Sequence, residues 1–163
     1  GIDRPAYLIR KFGSEARVRR VYGAIAQAGE SVDIDFAFDS IDRTPNSVDS
    51  HRLIRYATRN DADPRIVERL FFEYFIEGLD IGRQDVLQGI GARAGLNGDE
   101  VGAYLSSEED IDYVYDENTR AHRMGINSVP AFVFNEKMVI SGAQEPRVLA
   151  RMIDAAIATA DAA

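Results

Sequence analysis

The stretch Gly125–Gly142, GINSVPAFVFNEKMVISG, decides how the rest of the chain is read. Gly125 stops a preceding helix, and Asn127-Ser128 forms a turn that hands over to Val129-Pro130. The apolar run Ala131–Phe134 follows, then the polar connection Asn135-Glu136-Lys137 and the return run Met138–Ile140, closed by Gly142. Two short apolar runs around a short polar loop predict a β-hairpin. Ala131–Phe134 is almost wholly apolar, the pattern of a strand covered on both faces.

Proline has no N–H to give to a strand ladder, so Pro130 needs an edge position or a special turn. A cis Val129–Pro130 bond answers that need, and so does a trans proline that opens a strand. Residue type alone leaves both open.

Upstream of the hairpin the chain reads as helices. Asp3-Arg4-Pro5 is a capped helix start with proline in the first turn, and Gly13 ends that helix. Ser14 caps the next, whose Val18, Val21, Tyr22 and Ile25 fall at helical spacing and which Gly29 is expected to close. Val32–Asp39 alternates apolar with acidic or small residues, the mark of a half-buried extended segment. Thr44-Pro45-Asn46 is a turn, with Asn46 or Ser47 capping a helix to about Arg59. Asp63-Pro64 starts another, in which Ile66, Val67, Leu70, Phe71, Tyr74 and Phe75 form one apolar stripe expected to be core. Further helices are predicted over 83–94, 99–105 and 108–124, the last opened by a capping box at Ser107 and Asp110. Pro146 begins a final helix carrying Val148, Leu149, Met152, Ile153 and Ile157, and its alanine-rich end is expected to fray. The expected domain division is a helical part, 1–124, and a β-β-α part, 125–163.

Composition narrows the function classes. Apolar residues at 45% and charged residues at 28% of 163 suit a globular protein with a real core. Nineteen basic against 27 acidic residues give −8, the wrong sign for a nucleic-acid binder. No apolar run approaches a membrane span and no leader pattern is visible, so no membrane association and a cytoplasmic location are the default expectations. The chain has no cysteine, which excludes disulfides, thiolate catalysis and cysteine metal sites within it. The two histidines stand far apart and the carboxylates are scattered, so no metal site is expected. The glycines at 78, 82, 89 and 91 follow no strand and make no dinucleotide loop.

The stretches Ser128–Val133 (SVPAFV) and Ser141–Gln144 (SGAQ) resemble the cis-proline loop and the segment before the last helix in the thioredoxin-fold family that includes DsbA, FrnE-type oxidoreductases, hydroxychromene-carboxylate isomerases and kappa-class glutathione transferases. Arg43–Ser47 (RTPNS), His51–Ile54 (HRLI), Phe75–Gly78 (FIEG) and Asp80-Ile81 are similar to the FrnE-like branch. The resemblance implies an α/β, DsbA-type thioredoxin-like fold with a large helical insertion. It places the N-terminal strand, the C-x-x-C turn, the first helix and the second strand before Gly1, and so implies a chain without its redox motif. It makes Val32–Phe38 an extended connection and Val129–Pro130 cis, with the Val129 N–H and C=O free to pair with a substrate backbone. It sets Asn46, His51 and Ser128 beside the same groove. On the residues alone, Asn46 is a helix cap, His51 a lone helix histidine, and His122 a helix-end residue that suits the dipole.

Three functions follow. The first is a thiol–disulfide oxidoreductase acting on a thiol or disulfide protein or a small thiol, by thiolate attack from cysteines outside this sequence. The second is an isomerase or transferase with glutathione as co-substrate. The third is a non-catalytic binding module. In all three the Ala131–Phe134 edge needs cover. It can come from the missing N-terminal strand, from Val32–Phe38 folded back, or from a second copy in a homodimer.

Overall fold

A computed structural model describes residues 1–62, 64–135 and 138–160. The chain forms two compact units, Gly1–Val114 and Tyr115–Ala163, which divide inside a helix that ends at Arg123, and not after it at 124/125.

The first unit opens with β1 (Ile2–Asp3), paired antiparallel with β2 (Arg43–Thr44), and runs through α1 (Arg4–Phe12), α2 (Glu15–Glu30), α3 (Val48–Arg59), α4 (Ile66–Phe75), α5 (Gln84–Arg93) and α6 (Gly98–Ser106) to the start of α7 (Ile111–Arg123). Local chemistry sets the first boundaries. Asp3 Oδ1 accepts the Ala6 N–H at 2.9 Å, Gly13 closes α1 at φ 88°, and Ser14 Oγ accepts the Arg17 N–H at 3.3 Å. Gly29, expected as a stop, lies inside α2. A Cβ there would stand 2.6 Å from the Phe36 ring and 2.7 Å from the Ile34 carbonyl oxygen, so the residue is a point of close approach.

That approach accounts for Val32–Phe38. Phe36 and Phe38 stack at 4.8 Å between centroids and meet Tyr22 and Phe75 edge-on, while the Ala37 N–H donates to the Phe75 carbonyl at 2.8 Å. The segment is a connection ending in a 3-10 turn at Phe38–Ser40, and it is no third strand of the hairpin. The α4 stripe divides: Ile66, Leu70 and Tyr74 are buried, whereas Val67 and Phe71 are 39% and 60% exposed and are not core. The expected cap at Asp63 lies outside the described residues.

The core proper joins α3 to α6, with Leu53, Leu70, Leu87, Ile90, Val101 and Leu105 at its centre. At one side of it stands a charged side chain. Arg52 is 1% exposed, and all five of its N–H groups find an acceptor. Nε donates to the Glu109 carbonyl at 2.7 Å, Nη1 to Leu105 O and Asp49 Oδ1 at 3.0 and 2.7 Å, and Nη2 to Tyr104 O and Ser107 O at 2.7 and 2.8 Å. These carbonyls belong to the last turn of α6 and the corner after it, where the Ser107 N–H and Oγ also reach Tyr104 O, at 3.1 and 2.7 Å, and Gln84 Nε2 reaches Leu105 O at 2.9 Å.

Arg55 and Arg59, three and seven residues on, extend the same face to the carboxylate of Asp110. Arg55 Nε, Arg59 Nη2 and the Tyr104 hydroxyl each lie 2.8 Å from it. Ser107 and Asp110 therefore make no capping box: Ser107 Oγ accepts the Glu109 N–H at 3.1 Å, and Asp110, at φ 63°, is committed to α3 and α6. Burial pushes the Asp110 carboxyl up, but the hydrogen bonds from Arg55 and Tyr104 and the charges of Arg59 and Arg55 outweigh it and hold it below its ordinary value. Burial, then the bond to Asp110, pushes the Tyr104 hydroxyl up to about 12.

The second unit holds the rest of α7, the hairpin of β3 (Ala131–Phe134) and β4 (Met138–Ser141), and α8 (Pro146–Ala160). The hairpin is a two-stranded sheet with Ala131 opposite Ser141 and Phe134 opposite Met138. Ala156 of α8 is buried, and its carbonyl accepts from Asn135 Nδ2 at 2.6 Å, which ties the hairpin turn to the helix. β3 is not covered on both faces: Ala131, Phe132 and Phe134 are half-buried and Val133 is 43% exposed.

Two outcomes test this packing. Arg52→Met is expected to lower the unfolding free energy in urea by about 3–5 kcal/mol, because it removes five charge-assisted hydrogen bonds and leaves Asp49 without its buried partner. A carboxyl held low when folded stabilises the fold above the unfolded value of about 4 and loses that contribution as pH falls through the lower folded value. Stability measured from pH 6 downward, on the order of three units, is expected to fall less steeply in Asp110→Asn than in the parent chain.

Candidate functional site

The loop ahead of β3 is built from the end of α7. The Gly125 N–H bonds the His122 carbonyl at 2.9 Å, with Gly125 at φ 80°, and the Ile126 N–H bonds the Ala121 carbonyl at 3.0 Å. The helix thus ends in a turn that only glycine enters without strain. Asn127 is pinned at both ends of its amide. Its Nδ2 donates to the Gly125 carbonyl at 3.2 Å and its Oδ1 lies 3.2 Å from His122 Nδ1.

Past Asn127 the chain stands in solvent. Ser128, Val129 and Pro130 are all exposed, and Val129 at 87% is the most exposed large apolar residue of the chain's described part. The Val129–Pro130 peptide bond is cis. Pro130 continues the ladder by one bond, its carbonyl accepting the Gly142 N–H at 2.7 Å. Among the described residues neither the N–H nor the C=O of Val129 has a hydrogen-bond partner. The far side of the loop is braced by Gln144, whose Nε2 donates to the Ser141 and Gly142 carbonyls at 3.4 Å. An exposed donor and acceptor at the head of a strand can take an extended peptide backbone.

The other residues named from the sequence lie in the first unit. Asn46, not Ser47, caps α3: its Oδ1 accepts the Val48 N–H at 3.1 Å, and Ser47 makes no side-chain cap bond. It sits beside the Asp80–Gly82 turn, where a Cβ on Gly82 would lie 3.3 Å from the Asn46 nitrogen. His51 is in the first turn of α3 with an exposed side chain. Ser128, Val129 and Pro130 thus share one loop, and Asn46 and His51 share one helix start in the other unit.

The sequence reading missed the pairing of His122 with Asn127; the signal was a histidine at a helix end followed by glycine and asparagine. It also missed Arg52, whose signal was a cationic row at 52, 55 and 59, which more often marks a solvated face. Among the described residues no group of three or more His, Asp or Glu side chains is placed to hold a metal ion. Among the described residues no helix is long and apolar enough to cross a membrane. With no cysteine in the chain, the loop offers hydrogen bonds and shape, and no nucleophile for disulfide exchange. Asn46→Ala is expected to cost about 1 kcal/mol of stability as a lost cap, whereas His51→Ala should stay within about 0.5 kcal/mol, both read from urea midpoints.

The profile of the DSBA-like thioredoxin domain matches residues 3–154. None of the curated proteins is significantly similar to the chain. Among solved structures, the crystal structure of a probable DsbA oxidoreductase from Streptomyces coelicolor superposes with a TM-score of 0.79 over 93% of this chain at 22% identity, a likeness of fold. This chain spans 65% of the length of that one. The helical first unit, the hairpin and the last helix are therefore parts of a thioredoxin-like fold, and the chain belongs to the DSBA-like thioredoxin domain family, one of thiol–disulfide oxidoreductase type.

Proposed function

We propose that this chain carries the substrate-holding part of a FrnE-like thiol–disulfide oxidoreductase, with Val129 as the residue that pairs with the substrate backbone. One observation carries the reading: at the head of β3 a main-chain N–H and C=O stand unpartnered on a residue that is 87% exposed. In thiol–disulfide exchange a thiolate attacks one sulfur of a disulfide, and a mixed disulfide forms as the other sulfur leaves. The cysteines for that step lie outside this sequence. What the loop contributes is orientation: an extended segment hydrogen-bonded to Val129 is held at the head of β3. Pro130 shapes the approach, and Ser128 precedes Val129 in the same exposed loop. The partner is an unfolded or extended protein disulfide. The β3 edge opposite β4 is the place where a strand from outside this sequence, or a second copy of the chain, completes the sheet.

The test uses the 15N-labelled chain and S-carboxymethylated insulin B chain, an extended polypeptide whose thiols are blocked. Saturable shifts of the Val129 and Ala131 amides, with the chain itself inactive in insulin reduction, are the expected result. Saturation by glutathione with no response to the B chain would favour the glutathione-dependent isomerase or transferase. No response of either amide to either ligand would overturn the assignment of Val129.

A further inference from the structure

We infer that His122 is a positioning residue of the substrate loop, acting through Asn127 and present in the tautomer that carries its proton on Nδ1. The inference rests on the role proposed above for Val129 and names what holds that residue in place.

The argument starts from the amide of Asn127. Its Nδ2 is spent on the Gly125 carbonyl at 3.2 Å, so the atom turned toward His122 is Oδ1. An amide oxygen only accepts, so the imidazole atom that faces it at 3.2 Å has to be the donor. Nδ1 therefore carries the hydrogen, in the neutral ring as in the imidazolium, and Nε2 is left toward solvent. The opposite orientation of the amide would turn its NH2 group toward His122 and set its oxygen against the Gly125 carbonyl oxygen, acceptor against acceptor.

The consequence for the loop follows from connectivity. His122 is in the last turn of α7, and the Gly125 N–H is bonded to its carbonyl. Asn127 is the last residue before Ser128-Val129-Pro130 with a side-chain tie to the helix, and both bonds of its amide run back toward α7. Past it the main chain meets its next bond at the Pro130 carbonyl. Two anchors thus bracket the exposed residues. One is the ladder at Pro130, and the other is the His122–Asn127–Gly125 chain of side-chain bonds. Removing the second frees the approach to Val129 while leaving hairpin and helix intact. Ordering that loop would then draw on the binding energy of the extended ligand.

The tautomer and the positioning are tested together. Ring 15N shifts of His122 are expected to show Nδ1 protonated in the neutral form. His122→Ala and Asn127→Ala should each weaken S-carboxymethylated insulin B chain binding by about threefold to tenfold, the worth of one hydrogen bond, and raise the mobility of the Val129 amide. His122→Asn should restore both, since its side-chain NH2 stands where Nδ1 stood, whereas His122→Gln should not. All four variants should keep the parent urea midpoint. A neutral ring protonated on Nε2, or His122→Ala with unchanged affinity and unchanged Val129 mobility, overturns the inference and leaves the reading of Val129 standing. If the B chain fails to reach Val129 in the parent chain, that reading fails, and the ring shifts and loop mobility still decide whether His122 holds the loop.

Discussion

A buried guanidinium is costly unless every donor is used, and the first unit is arranged so that Arg52 meets that condition. Its acceptors are the Asp49 carboxylate and the carbonyls that close α6 and the corner after it. One side chain thus ties two elements together: α3 gains partners for its buried charge, and the end of α6, which Ser107 caps at Tyr104 O, is fastened to α3. Asp110 repeats the arrangement with opposite sign, a carboxylate 10% exposed and fed by Arg55, Arg59 and Tyr104. Between them the two charges fix where α7 begins, and α7 carries the chain onward to the loop at Val129.

The second unit is held differently. It has a short hairpin, one helix laid on it, and, among its described residues, Ala156 as the buried apolar side chain. Its order comes from hydrogen bonds made at chain reversals: Asn135 to the Ala156 carbonyl, Gln144 to the end of β4, Asn127 to Gly125 and His122. Each is made by a polar side chain beside a turn, to backbone or, for Asn127 and His122, to a second side chain. The arrangement leaves the Val129 N–H and C=O exposed and without a partner among the described residues, which is why the site reads as a docking point for another chain's backbone.

Much of this was legible in the sequence where the cause is local. Asp3, Ser14, Gly13 and Gly125 work within a few residues of themselves, and their chemistry predicts the ends of α1, α2 and α7. The hairpin was legible for the same reason. What could not be read was whatever depends on residues distant in the chain. The carbonyls that accept from Arg52 lie more than 50 positions away, so the row at 52, 55 and 59 looks like a solvated face. Asp110 looks like a helix cap until its positive φ and its cationic partners are seen. Gly29 looks like a stop until Phe36 is found against it. At the site, Val129 and Pro130 were reached through a family resemblance, and Asn46 was read correctly as a cap because capping is local. The His122–Asn127 bond spans a turn whose geometry no spacing rule announces.

The central claim is that a substrate backbone bonds to Val129. Hydrogen exchange at the Val129 amide, measured with and without a saturating extended polypeptide, addresses it most directly, because only a bond to that N–H slows that proton. The account predicts fast exchange in the free chain and marked slowing in the complex, with Ala131 and Val133 little changed. It would be contradicted by a Val129 amide that exchanges equally fast when the ligand is bound, with new protection at the groove between α3 and α4 lined by Ile54, Ala57, Thr58 and Val67.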